Sequence, residues 1–180
     1  MSVHFSEPKA TVLQLALREG MKVADLGSGS GHYAHAAAAI VGHDGKVYAV
    51  EVREDMLKHI KESVHHRHRG IIEPLWGDIE RAGGTMLRDQ SMDAVILANV
   101  LFQIEHRQSL VSEIQRILKP EGKLLVVGWA GSYGGMGPAP DKVVSEHAVE
   151  ELFIGGGFHK IKSFRAGPHH YALLFSVPAV

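Results

Sequence analysis

Strand-sized apolar runs alternate with amphipathic segments along almost the whole length of this 180-residue chain. Parallel strands need long crossover connections, so this alternation predicts a parallel sheet with helices packed on both faces. The apolar runs predict strands at residues 21–26, 46–51, 71–76, 92–98, 123–129, 158–164 and 171–177. The segments between them predict helices at residues 7–19, 32–41, 55–66, 107–118 and 146–154, the last one capped by Ser145.

The last two predicted strands are joined by a short turn at Gly167-Pro168, with no helix between them. A connection of that length can only join an antiparallel pair. A further turn is predicted at residues 119–122, and a Gly/Pro-rich loop at residues 130–140. The expected fold class is therefore α/β: one domain, residues 1–180, built on a doubly wound and mostly parallel sheet whose last strand is antiparallel.

The first predicted strand runs into a loop, Gly27-Ser28-Gly29-Ser30-Gly31, with a glycine at every second position. Doubly wound sheets bind ligands at the carboxyl ends of their strands, and glycines let a ligand approach the backbone closely. A dinucleotide fingerprint would need its last glycine at His32 or Ala34, and a P-loop would need Gly-Lys-Ser/Thr. Neither pattern is present. What remains is either a ligand loop of the form G-x-G-x-G preceded by Asp25, or a tight strand–helix turn without a ligand.

Acidic residues also follow the next two predicted strands. Glu51 ends the second strand, where a carboxylate can accept hydrogen bonds from both hydroxyls of a ribose. Asp78 follows the third strand with Ile79 beside it, a pair suited to the amino group and the ring face of adenine. Any one of these carboxylates alone would be an ordinary solvated strand end. Together with Asp25 they place three acidic residues at one edge of the sheet, which favours a nucleoside-containing ligand.

These residues match a known family. The sequence resembles the class I, Rossmann-like S-adenosylmethionine-dependent methyltransferases, in particular the small-molecule group similar to the ubiquinone/menaquinone enzymes. The resemblance extends over residues 21–177 and is most specific at residues 23–31, 47–51, 77–78 and 117–124. It implies a seven-stranded sheet with an antiparallel last strand, S-adenosylmethionine as cofactor, S-adenosylhomocysteine as product, and methyl transfer to a small-molecule acceptor.

The resemblance also implies which residues hold the cofactor. The loop glycines would pack against its methionine and ribose part, and Asp25 would anchor the loop or bind the methionine amino group. Glu51 would bind the ribose hydroxyls and Asp78 the adenine amino group, while Asn99 would reach the methionine end through its backbone. The full set of cofactor residues is Asp25, Gly27, Ser28, Gly29, Gly31, Glu51, Val52, Met56, Asp78, Ile79 and Asn99.

The methyl acceptor is expected beside the ends of the fourth and fifth strands. Transfer from a sulfonium ion is an in-line displacement, so positioning supplies much of the catalysis, and a base is needed only if the nucleophile must lose a proton. His106 is the candidate base, because imidazole gains and loses a proton near neutral pH, although a helix N-terminus would equally account for it. Phe102, Trp129 and Tyr133 are expected on the acceptor side, either as the wall of a substrate site or as ordinary packing.

The sequence departs from many members of the family in ways that affect the acceptor. Residues 1–20 would form a short helical cap and residues 130–142 a short substrate-side loop, so the lid is small or is completed by a second subunit of a homodimer. Ala98-Asn99-Val100-Leu101 stands in place of the Asn/Asp-Pro-Pro-Tyr/Phe signature, which argues against base-amino methylation of nucleic acid. An RNA or protein methyltransferase stays an alternative, because residues 41–51 also resemble protein isoaspartyl and transfer-RNA adenosine methyltransferases. The other alternative is a non-catalytic, cofactor-binding partner subunit.

Composition excludes several other classes. The chain has no cysteine, so disulfides, thiolate metal sites and cysteine nucleophiles are ruled out. The net charge of -1 gives no global basic field for nucleic acid, although a local basic patch stays open. No apolar run approaches the roughly 20 residues that cross a bilayer, and no signal peptide is recognisable, so a cytoplasmic enzyme is expected. Histidines cluster at residues 65–68 and 169–170 without companion ligands at zinc-site spacing, so no metal is predicted.

Overall fold

A seven-stranded sheet forms the centre of the protein. The computed structural model describes residues 6–64 and 68–179. The strands are β1 (Lys22–Leu26), β2 (Lys46–Glu51), β3 (Ile72–Trp76), β4 (Met92–Ala98), β5 (Leu118–Trp129), β6 (His159–Gly167) and β7 (His170–Ser176). The helices are α1 (Pro8–Leu13), α2 (His32–Val41), α3 (Glu54–Val64), α4 (Arg107–Ile117) and α5 (Glu146–Gly155), and single 3-10 turns lie at Leu101–Gln103 and Pro140–Lys142.

The order of the strands across the sheet is β3-β2-β1-β4-β5-β7-β6. β1 pairs in parallel with both β2 and β4, and β4 pairs in parallel with β5. β7 lies between β5 and β6 and is antiparallel to both. The predicted doubly wound, mostly parallel sheet with an antiparallel last strand is therefore confirmed. The chain reverses its direction across the sheet between β1 and β4, which opens a crevice at the carboxyl ends of these strands.

Helices cover both faces of the sheet and divide the core into two layers. On one face α4 and α5 contribute Ile114 and Phe153 to a large apolar cluster. On the other face α1, α2 and α3 build a second cluster, which includes Ala37. Consecutive residues of β1 alternate between the two layers, with Val23 in the second cluster and Ala24 in the first, because neighbouring side chains of a strand point to opposite faces.

The helix predicted at residues 7–19 is shorter than expected. α1 ends at Leu13, and Ala16 follows with a φ of 52°. A left-handed residue interrupts the hydrogen-bond ladder of an α-helix. The interruption turns Leu15 into the core, where it is 1% exposed, and leaves Leu13 63% exposed. The burial of Leu15 therefore overrides the amphipathic periodicity on which the longer helix was predicted.

The turn predicted at residues 119–122 lies inside β5 rather than before it, with Glu121 at a φ of 60°. Leu118 pairs with Met92 and Lys123 pairs with Ala94, so the four residues 119–122 stand opposite the single residue Asp93. Nζ of Lys119 donates to Oδ1 of Asp93 at 2.5 Å, which ties the turn to β4. β5 consequently begins directly after α4, because Leu118 already pairs with the sheet.

The start of α5 agrees with the prediction from the sequence. The C-terminal end of α3 is described only in part. Oγ of Ser145 accepts a hydrogen bond from the N–H of Ala148 at 3.1 Å, which confirms the predicted N-cap. α3 is described as far as Val64, and the end predicted at His66 lies outside the described residues. Within residues 6–64 and 68–179, no helix has the length and apolar character that crossing a membrane requires.

Candidate functional site

An open cavity of about 480 Å³ lies at the carboxyl edge of the sheet, where the strand order reverses between β1 and β4. Its volume falls in the range of small-ligand sites, roughly 300–1,000 Å³. The loops that follow β1, β2, β3 and β4 form its wall. Nine of the predicted cofactor residues line it: Gly27, Ser28, Gly29, Glu51, Val52, Met56, Asp78, Ile79 and Asn99. We call it the main cavity.

The glycine loop adopts backbone conformations that favour glycine. The φ angles are 67° at Gly27, 53° at Gly29 and 80° at Gly31, which is the N-cap of α2. The N–H of Gly27 donates to the carbonyl of Val50 at 2.9 Å and holds the loop against β2. A Cβ on Gly27 would lie 2.6 Å from Cγ2 of Val100, whereas a Cβ on Gly29 would meet nothing within 4 Å. Packing therefore disfavours a side chain at Gly27, while the space beside Gly29 is open to a bound group.

Glu51 joins the end of β2 to the glycine loop. Its side chain is 7% exposed, and its Oε2 accepts a hydrogen bond from the N–H of Gly29 at 2.9 Å. Its Oε1 accepts from the N–H groups of Val52 and Arg53, each at 2.9 Å. Three backbone donors thus fix the orientation of the carboxylate. Since an ionised carboxylate offers about four acceptor positions, Glu51 can still accept from a ligand in the main cavity.

Asp78 stands directly after β3 and is half-buried. Its Oδ1 accepts a hydrogen bond from the N–H of Glu80 at 3.1 Å, and Nε of Arg81 lies 3.0 Å from its Oδ2. Ile79 beside it is 8% exposed and also lines the main cavity. A carboxylate and an apolar side chain on consecutive residues therefore face the same space, as the sequence predicts for a purine ring.

Asp25 lies behind the glycine loop rather than on the wall of the main cavity. It is 2% exposed, and its Oδ2 accepts a hydrogen bond from Oγ of Ser28 at 2.6 Å. Burial raises the pKa of Asp25 from 3.8 to about 6, and hydrogen bonds from Ser28 and from the Ala34 backbone oppose this rise. The geometry favours loop anchoring, which is one of the two roles that the sequence left open for Asp25.

Asp25 gives the free energy of unfolding a specific pH dependence. Because its pKa is raised on folding, its contribution is fully present below pH 3.8 and is lost as the pH rises through about 6. Asp25→Asn keeps an oxygen that accepts from Ser28 but removes the titrating group. Relative to the wild type, this variant should therefore gain about 2 kcal/mol between pH 4 and pH 7.5. Urea unfolding of both proteins across this range measures the difference, and a difference that stays constant with pH would contradict the assignment.

Asn99 directly follows β4 with a φ of 59°, and its N–H donates to the carbonyl of Val127 at 2.9 Å. Its side-chain oxygen is buried and accepts no hydrogen bond from the described residues. Buried polar atoms without a partner are rare in folded proteins. The Asn99 side chain therefore offers a free acceptor where the wall of the main cavity meets the end of β4.

A narrow cavity of about 10 Å³, which has room for roughly one water molecule, adjoins Asn99 at the carboxyl ends of β4 and β5. Phe102 and Trp129 form part of its wall. Tyr133 does not line this cavity. Its ring centroid is 6.5 Å from that of Trp129 and 4.1 Å from that of His169. Two of the three residues predicted on the acceptor side therefore line this narrow cavity, and Tyr133 packs behind Trp129.

His106, the predicted base, lies outside both cavities. It is exposed at the start of α4 and borders a shallow depression formed by residues 104–109. Its backbone N–H donates to Oε2 of Glu80 at 2.6 Å, and the N–H of Glu105 donates to the same oxygen at 2.9 Å. Glu80 lines the main cavity. The backbone of His106, rather than its imidazole, is therefore linked to the site.

One residue of the main cavity carries no recognisable signal in the sequence. Ser6 precedes α1 and lines the cavity. It belongs to no motif, since the path of the chain alone brings it to the strand ends. Gln103 and Ile104, at the 3-10 turn after β4, also line the cavity, in the region beside the end of the fourth strand where the methyl acceptor is expected. Arg53 also lines the cavity, and its position directly after Glu51 and Val52 was a signal that could have identified it.

The histidine-rich run is described only in part, since His65, His66 and Arg67 lie outside the described residues. Nδ1 of His68 is 2.8 Å from Nδ1 of His35 in α2. Across residues 6–64 and 68–179, no group of three or more histidine, aspartate or glutamate side chains is placed to hold a metal ion.

Comparison with known proteins relates this site to one family. The methyltransferase domain family matches residues 24–126. The ubiquinone/menaquinone biosynthesis C-methyltransferases of Bordetella avium and Bordetella parapertussis are 32% and 33% identical over 131 and 132 residues, which is 73% of this chain in each case and 50% and 49% of theirs. The chain thus spans about half the length of the curated relatives it matches. The crystal structure of a SAM-dependent methyltransferase from Aquifex aeolicus has a TM-score of 0.86 at 26% identity, covering 96% of this chain and 90% of that one.

Proposed function

Because the chain belongs to the methyltransferase domain family, we propose that it binds S-adenosylmethionine in the main cavity and transfers the methyl group to a small molecule beside the ends of β4 and β5. The observation that carries this proposal is the set of acceptors around the glycine loop. Glu51, Asp78 and Asn99 present oxygen atoms at the ends of β2, β3 and β4, on both sides of β1.

The chemistry of these residues fits S-adenosylmethionine. The cofactor offers hydrogen-bond donors at its ribose hydroxyls, its adenine amino group and its ammonium group, and the cavity offers acceptors. The buried Asn99 oxygen lacks a donor that a bound group would supply. The cofactor also carries a positive sulfonium centre, which the carboxylates of Glu51 and Asp78 favour electrostatically. When bound, S-adenosylmethionine supplies a methyl group that the positive charge on sulfur already activates.

Different residues of the main cavity then contact different parts of the cofactor. Glu51, whose orientation three backbone N–H groups fix, accepts from the ribose hydroxyls. Asp78 accepts from the adenine amino group while Ile79 packs against the ring, and Val52 and Met56 enclose the ring from the α3 side. The loop glycines allow the methionine and ribose part to lie against the backbone.

The acceptor side of the proposal rests on the positions of Phe102 and Trp129. Both residues line the narrow cavity, which shares Asn99 with the main cavity, so they lie near the expected methionine end of the cofactor site. From this position their aromatic rings would orient a flat or apolar acceptor at the mouth of the main cavity for in-line attack. The curated relatives are named for ubiquinone and menaquinone biosynthesis, which supports a small molecule as the acceptor.

His106→Ala tests whether a base acts from α4. The imidazole lies outside both cavities, so we expect the variant to keep its maximal rate within about twofold of the wild type. The measurement is the rate of S-adenosylhomocysteine release at saturating cofactor between pH 6 and 8. Loss of the rate at neutral pH, with unchanged cofactor affinity, would restore the base role that the sequence suggested.

Two experiments test the proposed function itself. Calorimetry with S-adenosylhomocysteine should detect binding at one site, and no binding by the folded protein would refute the proposal. Incubation of cell extract with methyl-labelled cofactor should then place label in the small-molecule fraction. Label in RNA or protein would instead support the macromolecular alternative, and binding without any transfer would support a partner subunit that lacks catalysis.

A further inference from the structure

Glu113 is a buried carboxylate of α4 that takes no part in the proposed chemistry. It is 1% exposed and lines neither cavity. Its Oε1 accepts hydrogen bonds from the N–H of Thr85 at 3.1 Å and from the Thr85 hydroxyl at 2.6 Å. Its Oε2 accepts from the N–H of Gly83 at 2.8 Å. The carboxylate is therefore hydrogen-bonded to the loop between β3 and β4 on both sides of Gly84.

Arg116, one turn further along α4, adds hydrogen bonds to Glu113 and to the same loop. Its Nε and one terminal nitrogen donate to Glu113 at 2.9 and 2.7 Å, and its other terminal nitrogen donates to the carbonyl of Leu87 at 2.8 Å. Burial alone would raise the pKa of Glu113, but the bonds from Arg116, Thr85 and Gly83 outweigh it and hold the pKa at about 2. Glu113 therefore stays ionised at neutral pH, with both of its oxygens engaged by donors.

Gly84 connects the loop segment held by Glu113 to the main cavity. Its carbonyl accepts the N–H of Asp78 at 3.0 Å, and its own N–H donates to the carbonyl of Arg81 at 2.9 Å. The contact with the strand end is tight, because a Cβ on Gly77 would lie 2.7 Å from the Gly84 oxygen. A shift of Gly84 would therefore move the backbone of Asp78, whose side chain lines the cavity.

We propose that Glu113 is a positioning residue that sets the selectivity of the main cavity for adenine, by fixing the Gly83–Thr85 segment against which Asp78 is placed. The proposal rests on the proposed function, since it assumes an adenine ring beside Asp78. A merely structural Glu113 would stabilise the fold without changing which base the folded protein prefers.

A matched pair of probes separates these two roles. S-adenosylhomocysteine carries the adenine amino group, and S-inosylhomocysteine carries an oxygen in its place. If Asp78 accepts from the amino group, the wild type should bind S-adenosylhomocysteine about 10- to 100-fold more tightly than the inosine analogue, because the analogue turns an oxygen towards the carboxylate. Calorimetry below the melting temperature of each protein measures both affinities.

Glu113→Gln keeps the shape of the side chain but replaces one acceptor oxygen with an amide that donates. It cannot accept from Thr85 and Gly83 on separate oxygens, so the Gly83–Thr85 segment should shift. We expect the preference for S-adenosylhomocysteine to fall to within about threefold. Glu113→Asp, which restores two acceptor oxygens, should recover part of the preference.

Val149→Ala is the control for general destabilisation. Val149 is fully buried in α5 and belongs to the same apolar cluster as α4, but it makes no hydrogen bond to the loop. This variant should lower the melting temperature and keep the wild-type preference. If Glu113→Gln does not fold, Thr85→Val takes its place, since it removes one hydroxyl bond to Glu113 and should lower the preference at least about threefold.

The outcomes distinguish the inference from the function on which it rests. A wild type that binds neither probe overturns the proposed function and the inference together. A wild type that binds both probes equally overturns the role of Asp78, and with it the inference. Wild-type preference retained by folded Glu113→Gln, or by Thr85→Val in its place, overturns the inference alone and leaves cofactor binding intact.

Discussion

Replacing Glu51 with alanine is expected to lower the affinity for S-adenosylhomocysteine by roughly 10- to 150-fold, or about 1.5–3 kcal/mol. Two effects act in the same direction. The variant loses a charged acceptor for the ribose hydroxyls, and it releases the N–H of Gly29, which Glu51 holds at 2.9 Å. Calorimetry measures the affinity, and thermal unfolding shows whether the fold is retained.

Glu54→Ala is the matched control for Glu51→Ala. Glu54 is an exposed carboxylate at the start of α3, three residues from Glu51, and it does not line the main cavity. Its removal should leave the affinity unchanged within about twofold. Equal losses for the two variants would mean that general electrostatic attraction, rather than a hydrogen bond donated by the ligand to Glu51, holds the ligand.

Gly27→Ala is expected to lower the free energy of unfolding by about 2–5 kcal/mol. The new Cβ would lie 2.6 Å from Cγ2 and 3.0 Å from Cγ1 of Val100, at a φ of 67° that disfavours alanine. Overpacking and backbone strain therefore add. The melting temperature should fall by roughly 5–15 °C, and the affinity for S-adenosylhomocysteine should fall with it, because both residues line the main cavity.

Two comparisons separate overpacking from strain at Gly27. Gly20→Ala introduces alanine at a φ of 81° in open space, so it should cost only the strain of about 1–2 kcal/mol. In the background of Val100→Ala, which removes both close carbon atoms, Gly27→Ala should likewise cost only the strain. An undiminished cost in that background would show that contact with Val100 is not the cause.

Local patterns were sufficient for the layout of the sheet. Strand-sized apolar runs, the crossover requirement of parallel strands and the short turn at Gly167-Pro168 predicted the mostly parallel sheet with its antiparallel last strand. The same reasoning misplaced the end of the helix predicted at residues 7–19 and the start of the fifth strand. There, the burial of Leu15 and the pairing of Leu118 with Met92 outweighed the local signals.

The candidate site likewise contains residues that the sequence predicts and residues that it does not. Glu51 and Asp78 were predictable, because residues at the carboxyl ends of neighbouring parallel strands must meet at one edge of the sheet. The position of the His106 imidazole outside the cavities was not predictable, since a place after a strand does not determine the direction in which an exposed side chain points. The geometry instead ties the backbone of His106 to Glu80.

The sequence by itself determined the sheet, the glycine loop and the acidic strand ends, because each depends on residues that are close along the chain or on the fixed geometry of parallel strands. Only the tertiary structure decided that Val100 closes against Gly27, that the oxygen of Asn99 is buried without a donor, and that Glu113 grips the Gly83–Thr85 segment. These contacts join residues as far as 73 positions apart, as Gly27 and Val100 are. No local propensity encodes them, since they exist only once the packed layers bring the segments together.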